Sequence, residues 1–272
     1  MDTRRNLLKK KRRVVIKIGS SSLQHTETGD MDYIRLEVLV RELCNLKNQG
    51  KDVVLVSSGA IAQGKKAVHL TPEQLQEHPI AVKQACAAVG QARLMMTYQK
   101  IFAEYNQVTA QILMTRQTIS NDINRINAQN TFEELFRMGV IPIVNENDTV
   151  ATEEISVGDN DTLSAVVAGL THADALVILS DIDGLFTANP ATKPDARLIP
   201  RVTEIDDALR GIAEGAGSLR GTGGMATKIS AAGICFENDC TMAIINGAYP
   251  ERIYDLLEGR SVGTLFQKEE GK

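Results

Sequence analysis

Short apolar runs alternate with longer segments of helical periodicity along most of the chain. The runs are rich in Val, Ile and Leu and are bounded by Gly, Asp, Asn or Ser, which is the pattern of buried strands. They predict strands at residues 14–18, 52–56, 108–113, 140–144, 175–179 and 241–245. Segments with apolar residues every three or four positions predict helices at residues 33–48, 81–105, 125–138, 160–173, 205–213 and 225–238.

This alternation is typical of a mostly parallel sheet covered by helices on both faces, so it predicts a three-layer α/β/α sandwich. Residues 149–157 are short, β-branched and bounded by turn residues, which predicts a small β-hairpin. No internal repeat or low-complexity linker divides the chain, so we expect one domain over 1–272 with two lobes, 1–173 and 174–272.

Composition excludes several classes of protein. The 272 residues are 43% hydrophobic and 24% charged, an ordinary globular composition. A net charge of −4 gives no basic field for nucleic acid, and no apolar run approaches the ~18 residues that span a membrane. The four cysteines lack metal-ligand spacing and are interpreted as buried thiols in a reducing cytosol. The basic cluster at residues 9–13 is interpreted as a solvated, frayed arm, with a contact to nucleic acid or to a partner as the alternative.

Three glycine-containing turns predict a phosphate site. Residues 221–228 place glycines before a helix and a lysine, Lys228, in its first turns, so that backbone N–H groups, the helix N-terminus and an ammonium group can all face an anion. Gly19 follows the first strand, which carries Lys17, and Gly59 follows the second strand. Together these turns indicate one polyanion held from several sides.

Two other phosphate motifs fit the sequence less well. Residues 59–66 approach a Walker A loop, but Lys66 stands where that motif needs Ser or Thr to hold Mg²⁺. No glycine fingerprint of a dinucleotide fold follows any predicted strand.

Two acidic loops lie on the side where α/β sheets bind ligands. Residues 145–148 follow a predicted strand, and residues 158–161 open the next predicted helix. Such carboxylates can bind a substrate ammonium group or hold Lys17 and Lys228 in place, although Asp and Asn at these points also cap helices and shape turns. The four histidines, in contrast, fall in polar or helix-end surroundings and are predicted to lie on the surface. A nucleophile that needs no histidine is a carboxylate, which is ionised at neutral pH.

The motifs, taken in order, resemble those of the amino acid kinase family over residues 14–266. The segments that carry the resemblance are VIKIGS at 15–20, SSGAIAQG at 57–64, AVGQ at 88–91, NEND at 145–148, VGDND at 157–161, GTGGMATK at 221–228 and SVGTLF at 261–266. Within the family, the chain is most similar to the members that act on free L-glutamate.

The resemblance implies that the chain transfers the γ-phosphoryl group of ATP to the side-chain carboxylate of L-glutamate, the first step of proline biosynthesis. It implies catalytic roles for Lys17, Lys228 and Asp161, with Asp161 holding both lysines. It implies glutamate binding by the N-terminal lobe and nucleotide binding by the C-terminal lobe, with Mg²⁺ on the ATP phosphates rather than in a cage of protein ligands. The implied glutamate-binding residues are Ser58, Gly59, Asn145, Asp148 and Asn160, and the implied nucleotide-binding residues are Lys17, Gly19, Ser180, Asp181, Thr222, Gly223, Gly224, Met225, Ala226, Thr227 and Lys228.

The resemblance also implies a cytoplasmic homo-oligomer, a dimer or tetramer, inhibited by proline, with no nucleic-acid or membrane partner. Many members continue into a PUA domain, which is not expected within these 272 residues. Acceptors other than glutamate stay open: Asp148 argues against an N-acylated amino acid, the acidic loops argue against uridylate, and aspartate differs by only one methylene. A non-catalytic sensor would be expected to lack one of Lys17, Lys228 or Asp161, and all three are present.

Overall fold

The computed structural model describes residues 5–71, 74, 78–150, 160–215 and 224–269. Within these ranges, eight strands form one sheet with the order β3-β4-β2-β1-β5-β7-β8-β6. The strands are β1 (Arg13–Ile18), β2 (Asp52–Ser57), β3 (Thr109–Met114), β4 (Ile141–Glu146), β5 (Ala175–Ser180), β6 (Arg201–Val202), β7 (Thr241–Asn246) and β8 (Thr264–Phe266).

All neighbouring strands are parallel except β7 and β8, which pair in antiparallel register. The six predicted strands are confirmed as β1 to β5 and β7. The sequence pattern did not predict β6 and β8, because two and three residues are too short to show a period. β1 pairs directly with β5, so the sheet is continuous across residue 174.

The described helices connect the strands. They are α1 (Tyr33–Asn48), α2 (Ala60–Ala67), α3 (Pro79–Glu104), α4 (Arg116–Ser120), α5 (Asp122–Arg137), α6 (Asn160–Leu170), α7 (Asp207–Gly215), α8 (Met225–Glu237) and α9 (Arg252–Leu257). The six predicted helices correspond to α1, α3, α5, α6, α7 and α8, with ends that differ by at most a few residues. The predicted hairpin lies almost wholly outside the described residues.

Helices cover both faces of the sheet, which confirms the three-layer sandwich. On one face, buried side chains of α1, α3 and α9 pack against Ile16, Leu55 and Val177. On the other face, buried side chains of α5, α6 and α8 pack against Val15, Val54 and Ile178. Alternate residues of each central strand therefore enter opposite cores, which explains why most positions of these strands are apolar.

The N-terminal basic segment is packed against the domain, so the prediction of a frayed arm is wrong for its described part. Residues Arg5–Lys10 form a 3₁₀ helix in which Leu8 is buried. Lys9 forms an ion pair with Glu258, and Nζ of Lys51 donates to the carbonyl oxygens of Lys9 and Lys11 at 3.1 and 2.6 Å. The apolar Leu8 and the carbonyls that Lys51 binds are what anchor the segment.

Two further predictions are confirmed. Cys44, Cys86, Cys235 and Cys240 are all buried free thiols, and the four histidines are exposed. No helix in the described part of the chain is long and apolar enough to cross a membrane.

Candidate active site

Two buried lysines converge on one carboxylate at the carboxyl edge of the sheet. Nζ of Lys17 lies 2.5 Å from Oδ1 of Asp161, and Nζ of Lys228 lies 3.0 Å from Oδ2. The Asp161 side chain is fully buried, and the two lysine side chains are at most 8% exposed. The formal charges of these three side chains sum to +1.

The secondary structure accounts for this convergence. Lys17 lies on the central strand β1 between Val56 and Ile178 of the adjacent strands, and its side chain faces the layer that contains α6 and α8. Asp161 and Lys228 lie in the first turns of α6 and α8, respectively. Both helices begin at the edge where the parallel strands end.

The electrostatics of Asp161 favour its ionised form. Burial raises the pKa of this carboxyl group, but the attraction and hydrogen bonds of Lys17 and Lys228 outweigh burial and hold the pKa below its ordinary value. The position of Asp161 in the first turn of a helix favours negative charge as well.

The predicted nucleotide turn is described from Gly224 onward. Gly224 is the N-cap of α8, and Oγ1 of Thr227 lies 2.7 Å from its carbonyl oxygen and 3.1 Å from Oδ2 of Asp161. Thr227 therefore joins the start of α8 to the lysine cluster. Thr222 and Gly223, which were also predicted to bind nucleotide, lie outside the described residues.

The glycine turns after β1 and β2 lie side by side. The backbone N–H of Ser58 donates to the carbonyl oxygen of Ile18 at 3.1 Å. Gly19 lies so close to the lysine cluster that an added Cβ would be 3.6 Å from Nζ of Lys17. Gly59 has φ of 109°, in the left-handed region, and is the N-cap of α2.

The structure separates this segment from a Walker A loop. Residues Ala60–Ala67 form a helix rather than a loop that could wrap a phosphate, and Lys66 at its end forms an ion pair with Asp30. Gly64 and Gly90 allow α2 and α3 to approach backbone to backbone: an added Cβ would lie 1.8 Å from the carbonyl oxygen of Cys86 or Ala60, respectively.

A chain of amide side chains lies beside the lysine cluster. Nδ2 of Asn160 donates to Oγ of Ser58 at 2.6 Å and to Oδ1 of Asn145 at 2.9 Å. Nδ2 of Asn145 donates in turn to Oε1 of Gln91 at 3.0 Å. The structure thus brings together three predicted residues: Ser58 from the turn after β2, Asn145 from β4 and Asn160 from α6. Gln91 was quoted within a motif but was not predicted as a site residue.

Asp148 lies in the turn that follows β4, close to the same edge of the sheet. Burial raises the pKa of this carboxyl group to about 6, and repulsion from Glu146 adds to the effect. Among the described residues, no lysine or arginine forms an ion pair with Asp148 within 4.0 Å. A half-buried carboxylate with a raised pKa is favourable for binding a cation from outside the protein.

The predicted residues Ser180 and Asp181 lie at the end of β5. Oγ of Ser180 donates to Oδ1 of Asp181 at 3.1 Å, and Ser180 is paired in register with Asn246 of β7. Nδ2 of Asn246 donates to Oδ1 of Asp183, which also contacts Arg252. Asn246, Asp183 and Arg252 were not predicted to lie beside Ser180, although Asn246 directly follows an apolar run in the sequence.

The model of the amino acid kinase family matches residues 12–246, which is most of the chain. The chain belongs to the amino acid kinase family. The resemblance predicted from the motifs is therefore confirmed, and the match includes β1 to β5, β7, α6 and α8, the elements that carry the lysine cluster.

Curated relatives are identical to this chain at about half of the aligned positions. A protein named glutamate 5-kinase from Clostridium acetobutylicum is 50% identical over 98% of both chains. Relatives of the same name from Clostridium perfringens and Carboxydothermus hydrogenoformans are 45% and 49% identical over 98% of this chain, which covers 100% and 71% of their respective lengths.

Solved structures of the family share the fold at low sequence identity. Carbamate kinase from Giardia lamblia, bound to AMP-PNP, gives a TM-score of 0.66 at 20% identity over 96% of this chain and 100% of that chain. UMP kinase from Bacillus anthracis gives 0.64 at 16% identity over 96% and 97%. These likenesses support the amino acid kinase fold alone.

Proposed function

We propose that this chain transfers the γ-phosphoryl group of ATP to the γ-carboxylate of L-glutamate, giving L-glutamyl 5-phosphate. This reaction is the first step of proline biosynthesis from glutamate. The observation that carries the proposal is the buried contact of Asp161 with both Lys17 and Lys228. The identity of 45–50% to proteins named glutamate 5-kinase supports the choice of acceptor.

The lysine cluster suits a reaction between two anions. The acceptor carboxylate and the transferring phosphoryl group repel each other, while a γ-carboxylate with an ordinary pKa of about 4.3 is already ionised and needs no general base. Lys17 and Lys228 stabilise the negative charge on the phosphoryl oxygens, and Asp161 keeps both ammonium groups in place before the reaction begins. Water is largely excluded there, so each charge acts more strongly than it would in solution.

Glutamate binds at the neighbouring amide chain. Ser58, Gly59, Asn145 and Asn160 orient the amino acid, and Asp148 binds its α-ammonium group. Support comes from the raised pKa of Asp148, because a carboxylate that is costly to ionise by itself gains most from a cationic ligand.

The nucleotide lies over the ends of β5 and β7. Backbone N–H groups near Gly19 and at the start of α8 hold phosphate oxygens, as helix N-termini commonly do. The residues assigned to this role are Lys17, Gly19, Ser180, Asp181, Thr222, Gly223, Gly224, Met225, Ala226, Thr227 and Lys228.

Mg²⁺ accompanies ATP in this proposal. Both carboxylate oxygens of Asp161 contact lysine ammonium groups, so this buried residue is unsuited to coordinate a metal. The phosphate oxygens and water then supply most of the ligands, which is the usual coordination of Mg²⁺ with nucleotides. When bound, Mg²⁺ would supply charge neutralisation to the phosphate oxygens that the incoming carboxylate approaches.

The reaction is tested by offering the protein a panel of acceptors. Purified protein is incubated with Mg-ATP, hydroxylamine and one of L-glutamate, L-aspartate, N-acetylglutamate or uridylate. An acyl phosphate is trapped as a hydroxamate, and ADP is measured in parallel. The proposal predicts hydroxamate and equal ADP with glutamate alone, and a larger yield with another acceptor would overturn it.

Assembly, regulation and location belong to the proposal as well. We expect a cytoplasmic homo-oligomer that proline inhibits at the glutamate site. Light scattering after size exclusion tests the first point, and a purely monomeric protein would contradict it. Glutamate titrations at several proline concentrations test the second, with activity unchanged in excess proline as the contradicting result.

A further inference from the structure

Gln91 lies behind the proposed glutamate site rather than in it. It belongs to α3 and is 7% exposed. Its side-chain Oε1 accepts a hydrogen bond from Nδ2 of Asn145 at 3.0 Å. Gln91 therefore contacts the site through another residue.

The backbone fixes the direction of the hydrogen bonds in this chain of amides. The backbone N–H of Glu146 lies 2.9 Å from Oδ1 of Asn145, and a backbone N–H can only donate. Oδ1 of Asn145 must therefore be the accepting oxygen, and its Nδ2 must face Gln91. Gln91 in turn must present Oε1, the only acceptor in its side chain.

This direction carries over to Asn160 and Ser58. Because Asn145 presents an oxygen, Asn160 meets it with Nδ2, whose second hydrogen goes to Oγ of Ser58. Both N–H bonds of the Asn160 amide are then used, and Oδ1 is the atom that this half-buried side chain can offer to a ligand. Ser58 accepts from Asn160 and can donate its hydroxyl hydrogen.

We propose that Gln91 is a positioning residue that holds Asn145 in this orientation and so selects amino acids with a free ammonium group. The proposal rests on the proposed function. With Gln91 accepting from Asn145, Oδ1 of Asn160 joins the carboxylate of Asp148 as an acceptor for the ammonium group, while the hydroxyl of Ser58 donates to a carboxylate oxygen of the substrate. The same arrangement disfavours an N-acylated amino acid, which offers one weak donor in place of three.

Loss of the Gln91 acceptor would disturb the chain because Asn145 is 3% exposed. A buried amide N–H without a partner is costly, so the Asn145 side chain is expected to rotate toward another acceptor and to release Asn160. The backbone of α3 would stay in place, since Gly90 and Gly64 pack it directly against α2.

Three variants test the proposal. Gln91→Met keeps the length of the side chain and removes the acceptor. Gln91→Glu keeps an acceptor at the same position and should retain function. Gln99→Met makes the same chemical change at an exposed position of α3 and is the matched control.

The decisive readout compares glutamate with glutarate, which has both carboxylates but no ammonium group. For Gln91→Met we expect the KM of glutamate to rise about tenfold, while the Ki of glutarate as a competitive inhibitor and the KM of ATP stay within about twofold. Gln91→Glu should recover the ratio of glutamate KM to glutarate Ki, and Gln99→Met should leave every constant unchanged.

Several results would overturn the proposal. Equal losses for glutamate and glutarate in Gln91→Met would indicate a merely structural role, and unchanged constants would show that Gln91 has no influence on the site. If Gln91→Met does not fold, Gln91→Glu is sufficient as a test. A ratio of glutamate KM to glutarate Ki that differs about tenfold from the wild-type ratio in Gln91→Glu would refute the proposal. Absence of glutamate turnover in the unmodified protein would instead refute the proposed function, which is measured first.

Discussion

Asn160 and Asp161 are adjacent in the chain, yet their side chains join two different groups of residues. The Asn160 amide donates to Ser58 and Asn145, whereas the Asp161 carboxylate binds Lys17 and Lys228. The first turn of α6 therefore links the proposed glutamate site to the proposed phosphoryl-transfer site. Because one rigid turn holds both, the acceptor and the transferring group can be positioned together.

Replacement of Asp161 tests the organisation of the lysine cluster. In Asp161→Asn, two buried ammonium groups lose their compensating charge, and we expect the free energy of unfolding to fall by about 3 kcal/mol. We also expect kcat to fall at least about 100-fold, because the lysines are no longer held in position. Urea unfolding and the hydroxamate assay measure the two effects.

Asp122→Asn is the matched control. Asp122 is 84% exposed and pairs with Arg125 on α5, so its loss should change the free energy of unfolding by under about 1 kcal/mol. If both variants behaved alike, the buried ion pairs of Asp161 would have no special role.

The pKa of Asp148 predicts how glutamate binding depends on pH. Burial raises this pKa to about 6, so the carboxyl group is ionised at pH 7 and becomes protonated as the pH falls through 6. A protonated Asp148 cannot attract an ammonium group. The KM of glutamate should therefore rise below pH 6 while the KM of ATP changes little, and a flat KM of glutamate between pH 7 and pH 5 would contradict this role.

The raised pKa of Asp148 also predicts that replacing this residue stabilises the fold. A raised pKa in the folded state means that ionised Asp148 destabilises the fold at pH values above 6, and that this cost is relieved as the pH falls from 6 toward the ordinary value of 3.8. Asp148→Asn should therefore raise Tm at pH 7 while it weakens glutamate binding. The gain should shrink at pH 4, and thermal melts of the ligand-free protein at the two pH values check it.

The close packing of α2 and α3 predicts a large effect from one methyl group. In Gly64→Ala the added Cβ would lie 1.8 Å from the carbonyl oxygen of Cys86, so the helices must separate and the protein should lose about 3 kcal/mol of stability. Since α2 begins directly after Ser58 and Gly59, the KM of glutamate should rise as well. In Gly233→Ala the added Cβ on α8 lies within 4 Å of no heavy atom of the described residues beyond the adjacent turns of its own helix, so the change should be neutral or stabilising.

Much of the fold could be predicted from the sequence because its central strands are buried on both faces. The runs that became β1, β2, β4, β5 and β7 are apolar at most positions on both faces, and strands of this kind occur in parallel sheets covered by helices. β6 and β8 could not be predicted, because no hydrophobic pattern marks them. They are defined by the pairing of β8 with β7 and of β6 with β8. The basic segment near the N-terminus was misjudged because one buried leucine, Leu8, and backbone carbonyls bound by Lys51 hold it against the domain, and neither feature shows in the pattern of charges.

Some residues of the candidate site could also be predicted from the sequence, and others could not. Turns and loops next to the predicted strands and helices pointed to Gly19, Gly59, Asp148, the two lysines and Asp161, and the family motifs gave the lysines and Asp161 their catalytic roles. The role of Gln91 could not be predicted, because its relation to Asn145 depends on how α3 packs behind β4. A contact of this kind arises from tertiary packing and leaves no local pattern in the sequence.

Lys228, held by Asp161, is proposed to act in phosphoryl transfer to glutamate. The most direct test compares glutamate-dependent ADP release and glutamate binding in the unmodified protein, in Lys228→Met and in Lys100→Met, a variant at an exposed position of α3. We predict that Lys228→Met lowers kcat at least about 100-fold with glutamate binding nearly unchanged, and that Lys100→Met is fully active. Full turnover by Lys228→Met, or no turnover by the unmodified protein despite glutamate binding, would contradict the account.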